Sequence, residues 1–154
     1  MGKILSKDNL ALNIANALLE GKVDYVQDKL GPLLRSFVSV RDTATNENYY
    51  HGFLNGIFTN CKDNLGEYHS NYESGDGYAD ITFKDIDCRK VAIIEIKSAS
   101  VGSDLVTLSE TALSQIEEKN YSEPFMSNRM IQSINAYGIA FAGKNCAVSV
   151  KKLK

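Results

Sequence analysis

Eight consecutive residues near the middle of the chain, Val91-Ala-Ile-Ile-Glu-Ile-Lys-Ser98, constrain the fold more than any other segment. Val91 to Ile94 reads as a strand buried on both faces. Glu95 and Lys97 interrupt the apolar run at a spacing of two, so their side chains share one face. An unpaired charge in such a place costs several kcal/mol, roughly. The strand must therefore supply partners for both charges, and a divalent metal with a phosphate is one candidate. Asp80 stands upstream with fourteen residues between it and Glu95.

The periodicity on either side sets the order of elements. Ala11, Ile14, Ala15, Leu18 and Leu19 fall at helical spacing up to Gly21. Val23, Val26, Leu30, Leu33, Leu34 and Phe37 repeat it, and Gly31-Pro32 inside that run predicts a kink or break. A third helix is expected from about Asn46 to Cys61, with Tyr50, Phe53, Leu54, Ile57 and Phe58 as its apolar stripe. The period then changes. Glu67 to Tyr72 reads as a strand, Ser74 to Gly77 as a hairpin turn, and Tyr78 to Lys84 as a second strand with Ala79, Ile81 and Phe83 on one face. Val91 to Ser98 is the third. A helix capped by Ser103 or Asp104 follows, buried along Leu105, Leu108, Ala112 and Ile116. Tyr121 to Pro124 ends it, and Met126 to Ser133 reads as a further short helix or turn. Ile134 to Ala142 and Asn145 to Val150 are the last strands, and the basic tail Lys151 to Lys154 is expected to fray. Gly52, Gly138 and Gly143 read as close-packing or turn positions. Helices, three strands joined by short turns, a crossover helix and two more strands describe an α/β or α+β sandwich with a mixed sheet.

Length and composition fit that reading. With 154 residues, 44% of them hydrophobic, the chain suits one soluble domain with a real core. No apolar run approaches the roughly 20 residues of a membrane span, so no membrane partner is expected. The first residues lack the long apolar stretch of a secretory signal, and Cys61, Cys88 and Cys146 are few, odd in number and far apart. The expected compartment is therefore a reducing cytoplasm. A zinc site from Cys61, His69 and Cys88 lacks the paired Cys-x-x-Cys spacing. The net charge of −2 neither supports nor excludes nucleic acid as a partner.

Hydrolysis of a phosphodiester demands a particular set of groups. Magnesium takes oxygen ligands, commonly one or two carboxylates beside waters and substrate phosphate. Asp80 and Glu95 on neighbouring strands could supply that pair, with the Ile96 carbonyl joining them. Lys97 points the same way, where an ammonium could stabilise developing negative charge and hold the attacking water.

Five stretches in order carry a family resemblance: Tyr50-His-Gly-Phe-Leu-Asn-Gly56, Ser70 to Ile81, Ala92-Ile-Ile-Glu-Ile-Lys-Ser-Ala99, Ala112 to Tyr121, and Tyr137-Gly-Ile-Ala-Phe-Ala-Gly-Lys144. The chain resembles the PD-(D/E)xK nuclease superfamily of restriction-endonuclease-like fold. It is most similar to the type usually found C-terminal to an AAA-ATPase-like domain. The resemblance implies an αβββαβ core with a mixed central sheet flanked by helices, over residues 43–154, and a helical cap or linker over 1–42. It implies DNA as substrate and magnesium as cofactor, with manganese as substitute. An AAA-ATPase-like domain and a second copy in a homodimer are the implied partners.

The resemblance also implies roles. Asp80, Glu95 and Glu47 match the metal-supporting acids, and Lys97 matches the catalytic lysine. Gln115 and Tyr121 resemble the glutamine–tyrosine element that contacts substrate or orients the site, so Gln115 counts among both the catalytic and the substrate-binding candidates. Lys119 and His51 complete the substrate-binding set. Three departures stand out. Tyr72 and Tyr78 replace residues that are often basic, Ala79 replaces the proline, and no Walker-type phosphate loop occurs. The rival reading is a non-catalytic module that docks partners or nucleic acid, and an RNA-directed nuclease is a further one.

Overall fold

A computed structural model describes residues 2–38, 46–71 and 78–154. The expected turn at Ser74 to Gly77, and Tyr72, lie outside the described residues. Helices α1 (Gly2–Glu20), α2 (Val23–Phe37) and α3 (Glu47–Asn60) come first. Strands β1 (Leu65–Ser70), β2 (Ile81–Asp85) and β3 (Lys90–Ser98) follow, then α4 (Leu105–Glu118), a short α5 (Glu123–Met126), β4 (Ser133–Ala142) and β5 (Asn145–Lys152). The strands form one sheet in sequence order. Among the described residues only the β3–β4 pair is parallel, and α4 makes that crossover. The expected α/β architecture, a mixed sheet flanked by helices with an N-terminal helical segment, is the observed one.

Strand alternation sorts the interior into two layers. Ala92, Ile94 and Ile96 of β3 and Tyr137, Ile139 and Phe141 of β4 point into a core shared with α1, α2 and α3. Val91 and Ile93, with Ile134 and Ala136, point the other way against Ile116 and Tyr121. The first two helices are tied into the larger layer. Tyr137 donates its hydroxyl to the Leu18 carbonyl at 2.8 Å and Asn135 its amide to Leu19 at 3.1 Å. Gln27 bridges to β5 by donating to the Cys146 carbonyl and accepting from the Val148 amide.

Several local expectations change in three dimensions. Helix α2 runs through Gly31-Pro32 to Phe37 without a break. Leu30 and Leu34 are both fully buried on either side of the proline, and that packing holds the helix together against a proline cost of about 3 kcal/mol. Strand β2 begins at Ile81, not Tyr78. Ile81 and Phe83 enter the larger layer, whereas Ala79 packs in the smaller one, because the chain turns at Asp80. The short helix lies at Glu123–Met126, ahead of the expected stretch, since Pro124 suits a first helical turn. The tail is not frayed. Leu153 donates its amide to the Ile134 carbonyl at 2.8 Å and packs against the smaller layer. Gly52 is exposed with open space around it, so close packing does not explain it.

Gly138 is required by contact. A Cβ there would lie 1.9 Å from the Ser109 carbonyl oxygen and 2.6 Å from the Leu113 amide of α4. The residue opposite Gly138 across the parallel ladder is Glu95, so this close approach sets how near α4 comes to the charged part of β3. Gly138→Ala is expected to destabilise the protein by about 1–3 kcal/mol through overpacking. Urea unfolding would show a lower midpoint at unchanged slope, and an unshifted midpoint would refute the close contact.

Candidate active site

The charged end of β3 sits where β2 leaves it. Regular β2–β3 pairing reaches Ile81 opposite Ile94 and goes no further. Beyond that point side chains replace backbone in the ladder. The Ile96 amide donates to Asp80 Oδ2 at 2.7 Å, and the Asp80 amide donates to Glu95 Oε1 at 3.2 Å. Each carboxylate thus accepts from backbone on the other's side of the junction. Asp80 is 8% exposed and Glu95 4%, and they are the two buried carboxylic acids among the described residues.

That arrangement carries an electrostatic cost. Burial pushes the Glu95 carboxyl up to about 8, and the hydrogen bond and negative charge of the Asp80 carboxyl push in the same direction. The Asp80 amide and the Lys97 ammonium oppose the shift without cancelling it. Lys97 is half-buried and forms no ion pair among the described residues. The Ile96 side chain points into the α1–α3 layer, so Glu95 and Lys97 both face the α4 side.

The other predicted residues are placed as follows. Gln115 is half-buried near the end of α4, and its side chain is close enough to Tyr121 to favour the ionised phenol. Burial raises the Tyr121 phenol, and the charges of Glu95 and Asp80 raise it further, so the Gln115–Tyr121 pair stands beside the acids. Lys119 is the exposed C-cap of α4. His51 is buried, with Nε2 3.1 Å from the Asp80 carbonyl oxygen and 3.2 Å from Ser70 Oγ. With its proton on Nε2, the ring donates to that carbonyl. The Asn71 backbone N–H donates to the same oxygen at 2.8 Å. His51 therefore touches the backbone that carries the Asp80 carboxylate. Glu47 is exposed in the first turn of α3, one turn before His51. Ile96 meets the site through its amide, as a donor to Asp80.

The Cys61–His69–Cys88 grouping does not form. Among the described residues no three His, Cys, Asp or Glu side chains gather as a metal cluster. Ser70, which hydrogen-bonds His51, and Asn71, whose backbone amide braces the Asp80 carbonyl, had no role assigned within the Ser70–Ile81 stretch, because that role depends on which strand neighbours them.

An acid before one strand, an acid and a lysine two apart on the next, and a glutamine on the crossover helix form one ordered set. A family model of the PD-(D/E)XK nuclease superfamily matches residues 45–151. The chain belongs to that superfamily. Neither the curated proteins nor the solved structures include a match to it. The superfamily's match begins just before α3 and covers every element of the site.

The displaced acidity of Glu95 makes stability depend on pH. Its folded-state value lies above the ordinary 4.5. Below about pH 4.5 both folded and unfolded chains hold the proton, and the favourable contribution is complete. As pH rises towards 8 the unfolded chain releases the proton first, so stability falls through that window. In EDTA the wild type is expected to lose on the order of 2–4 kcal/mol more than Glu95→Gln between pH 5 and pH 9. Urea titrations of both proteins at the two pH values measure this, and equal losses would assign the slope to another group.

Proposed function

We propose that this protein is a divalent-metal-dependent nuclease that hydrolyses DNA phosphodiester bonds. One observation carries the proposal: two buried carboxyls are clasped together with only a half-buried ammonium beside them. A cation beside the pair would favour ionisation of both acids and bring the raised Glu95 carboxyl back down. A pair of carboxylates suits magnesium, with manganese as substitute. Asp80 and Glu95 would hold the ion, with the Ile96 carbonyl as a further oxygen and Glu47 as an outer acid that holds a water. When bound, the ion would neutralise phosphate charge and acidify a water.

The chain's own groups divide the remaining work. Lys97 stabilises negative charge that grows on the phosphoryl oxygens and orients the attacking water. Water oxygen bonds to phosphorus, the ester P–O bond breaks, and the departing oxygen takes a proton. Gln115 steers the substrate from beside Tyr121, while Lys119 attracts the backbone at the rim. His51 acts through the Asp80 carbonyl as a positioning residue. Residues 43–154 form the nuclease unit in this reading, and α1 with α2 buttresses its sheet. Cytoplasmic placement, an ATPase-like companion domain and a homodimer belong to the same proposal by analogy with the superfamily.

Supercoiled plasmid, linear duplex, single-stranded DNA and RNA incubated with magnesium or manganese provide the test, with EDTA as control. Metal-dependent cutting of DNA is expected, and Lys97→Ala should reduce it by about 10²–10³-fold. Intact substrates under both metals would reject the nuclease and favour a docking module; preference for RNA would reject the DNA assignment. His51→Gln should retain more activity than His51→Ala, because an amide can still donate to the Asp80 carbonyl. The loss in His51→Ala should appear in kcat and metal affinity while KM holds, and a loss confined to KM would instead make His51 a substrate contact.

A further inference from the structure

A cleft of about 840 Å³ opens beside the acid pair, between β1, the segment leading into β2, and the α4–α5 connection. Asp80, Glu95 and Lys97 do not line it. It adjoins them through Ala79, the neighbour of Asp80, and Tyr121, which feels the charge of both acids. A nucleic-acid strand whose phosphate lay at the acids would bring the next nucleoside to this opening.

The lining has the chemistry of a base site more than of a phosphate site. Of the charged side chains in the lining, Glu67 is committed to Lys84 in an ion pair at 2.9 Å, and Glu123 adds a second carboxylate. Among the described lining residues Lys119, at the rim, is the one lysine or arginine, so the cleft itself offers little positive charge to a phosphate. Aromatic surface is plentiful: Tyr78 is 70% exposed and Phe125 is half-buried. Asn71 also lines the wall, and its side-chain nitrogen is buried without a hydrogen-bond partner among the described residues. A paired base in a stacked duplex cannot enter a cleft of this kind, whereas an unpaired one can present its flat face to a ring.

We propose that this cleft is a nucleobase subsite, with Tyr78 as its stacking platform, and that the protein acts on strands with an unpaired nucleotide next to the scissile phosphate. The subsite rests on the nuclease reading above for its orientation, and it adds the class of substrate. It also gives Tyr78, which stands where a basic residue is often found, a positive role: the ring contributes contact that does not depend on charge.

Fluorescence anisotropy tests the subsite without turnover. The probes are a labelled single-stranded 12-mer and the blunt duplex of the same sequence, titrated in EDTA with wild type, Tyr78→Ala and Tyr78→Phe. The single strand should bind about tenfold more tightly than the duplex. Tyr78→Ala should weaken single-strand binding by about tenfold and leave duplex binding unchanged, and Tyr78→Phe should keep the wild-type affinity. Equal affinity for the two probes, or an equal loss on both in Tyr78→Ala, would overturn the subsite. Cutting assays run beside the titrations separate the two readings. DNA cut with no effect of Tyr78 keeps the nuclease and removes the subsite. Tyr78-dependent strand binding by a protein that cuts nothing keeps the subsite and removes the nuclease.

Discussion

Two hydrogen bonds organise the functional end of this molecule: Ile96 amide to Asp80 carboxylate, and Asp80 amide to Glu95 carboxylate. They occur where β2 separates from β3 and the ladder would otherwise leave donors unpaired. A buried amide without an acceptor is costly, so the strands need these carboxylates for their own integrity. The same bonds aim both acids at one place. Structure and chemistry therefore share the same atoms, and the acids cannot be moved apart without opening the sheet. The Asp80 carbonyl adds a third anchor, since it accepts from both the Asn71 amide and the His51 ring.

The two faces of the sheet are specialised. The face towards α1, α2 and α3 is a continuous apolar layer that includes the stacked pair Tyr50 and Phe141, with ring centroids 4.5 Å apart. It supplies most of the buried surface. The opposite face is covered by α4, and its apolar contacts stop at Ile93 and Ile116. Beyond them β3 presents Glu95 and Lys97. Gly138 lets α4 sit against β4 at the level of Glu95, which brings Gln115 and Tyr121 to the acids while keeping water from surrounding them. Low local polarity is what raises the Glu95 carboxyl, and it would strengthen any interaction with a bound cation.

Much of this was legible in advance, for physical reasons that differ by residue. The apolar stripe of α3 and the strand Val91 to Ser98 were readable because each repeats at the period of its own secondary structure. Asp104 and Asn46 were readable as helix-start residues because their side chains cap the turn that follows. The start of β2 was misread. Ala79 continues a period-two pattern with Ile81 and Phe83, but the Asp80 side chain takes the place of the ladder and turns the backbone. Pro32 and the last four residues were misread for a shared reason. Burial of Leu30, Leu34 and Leu153 against distant parts of the chain outweighs local preference, and no local window contains those partners.

Composition and spacing alone determined the order of elements, the mixed sheet, and the presence of two acids and a lysine in a pattern that burial must accommodate. These follow from periodicities a few residues long, which any segment carries within itself. Only tertiary structure decided that His51 meets the Asp80 carbonyl, that Tyr121 comes within reach of both acids' charge, and that a cleft lined by aromatic and amide groups adjoins them. Those facts depend on how helices on opposite faces approach the sheet. That approach is set by the summed packing of residues far apart in the chain, and it leaves no trace in local sequence.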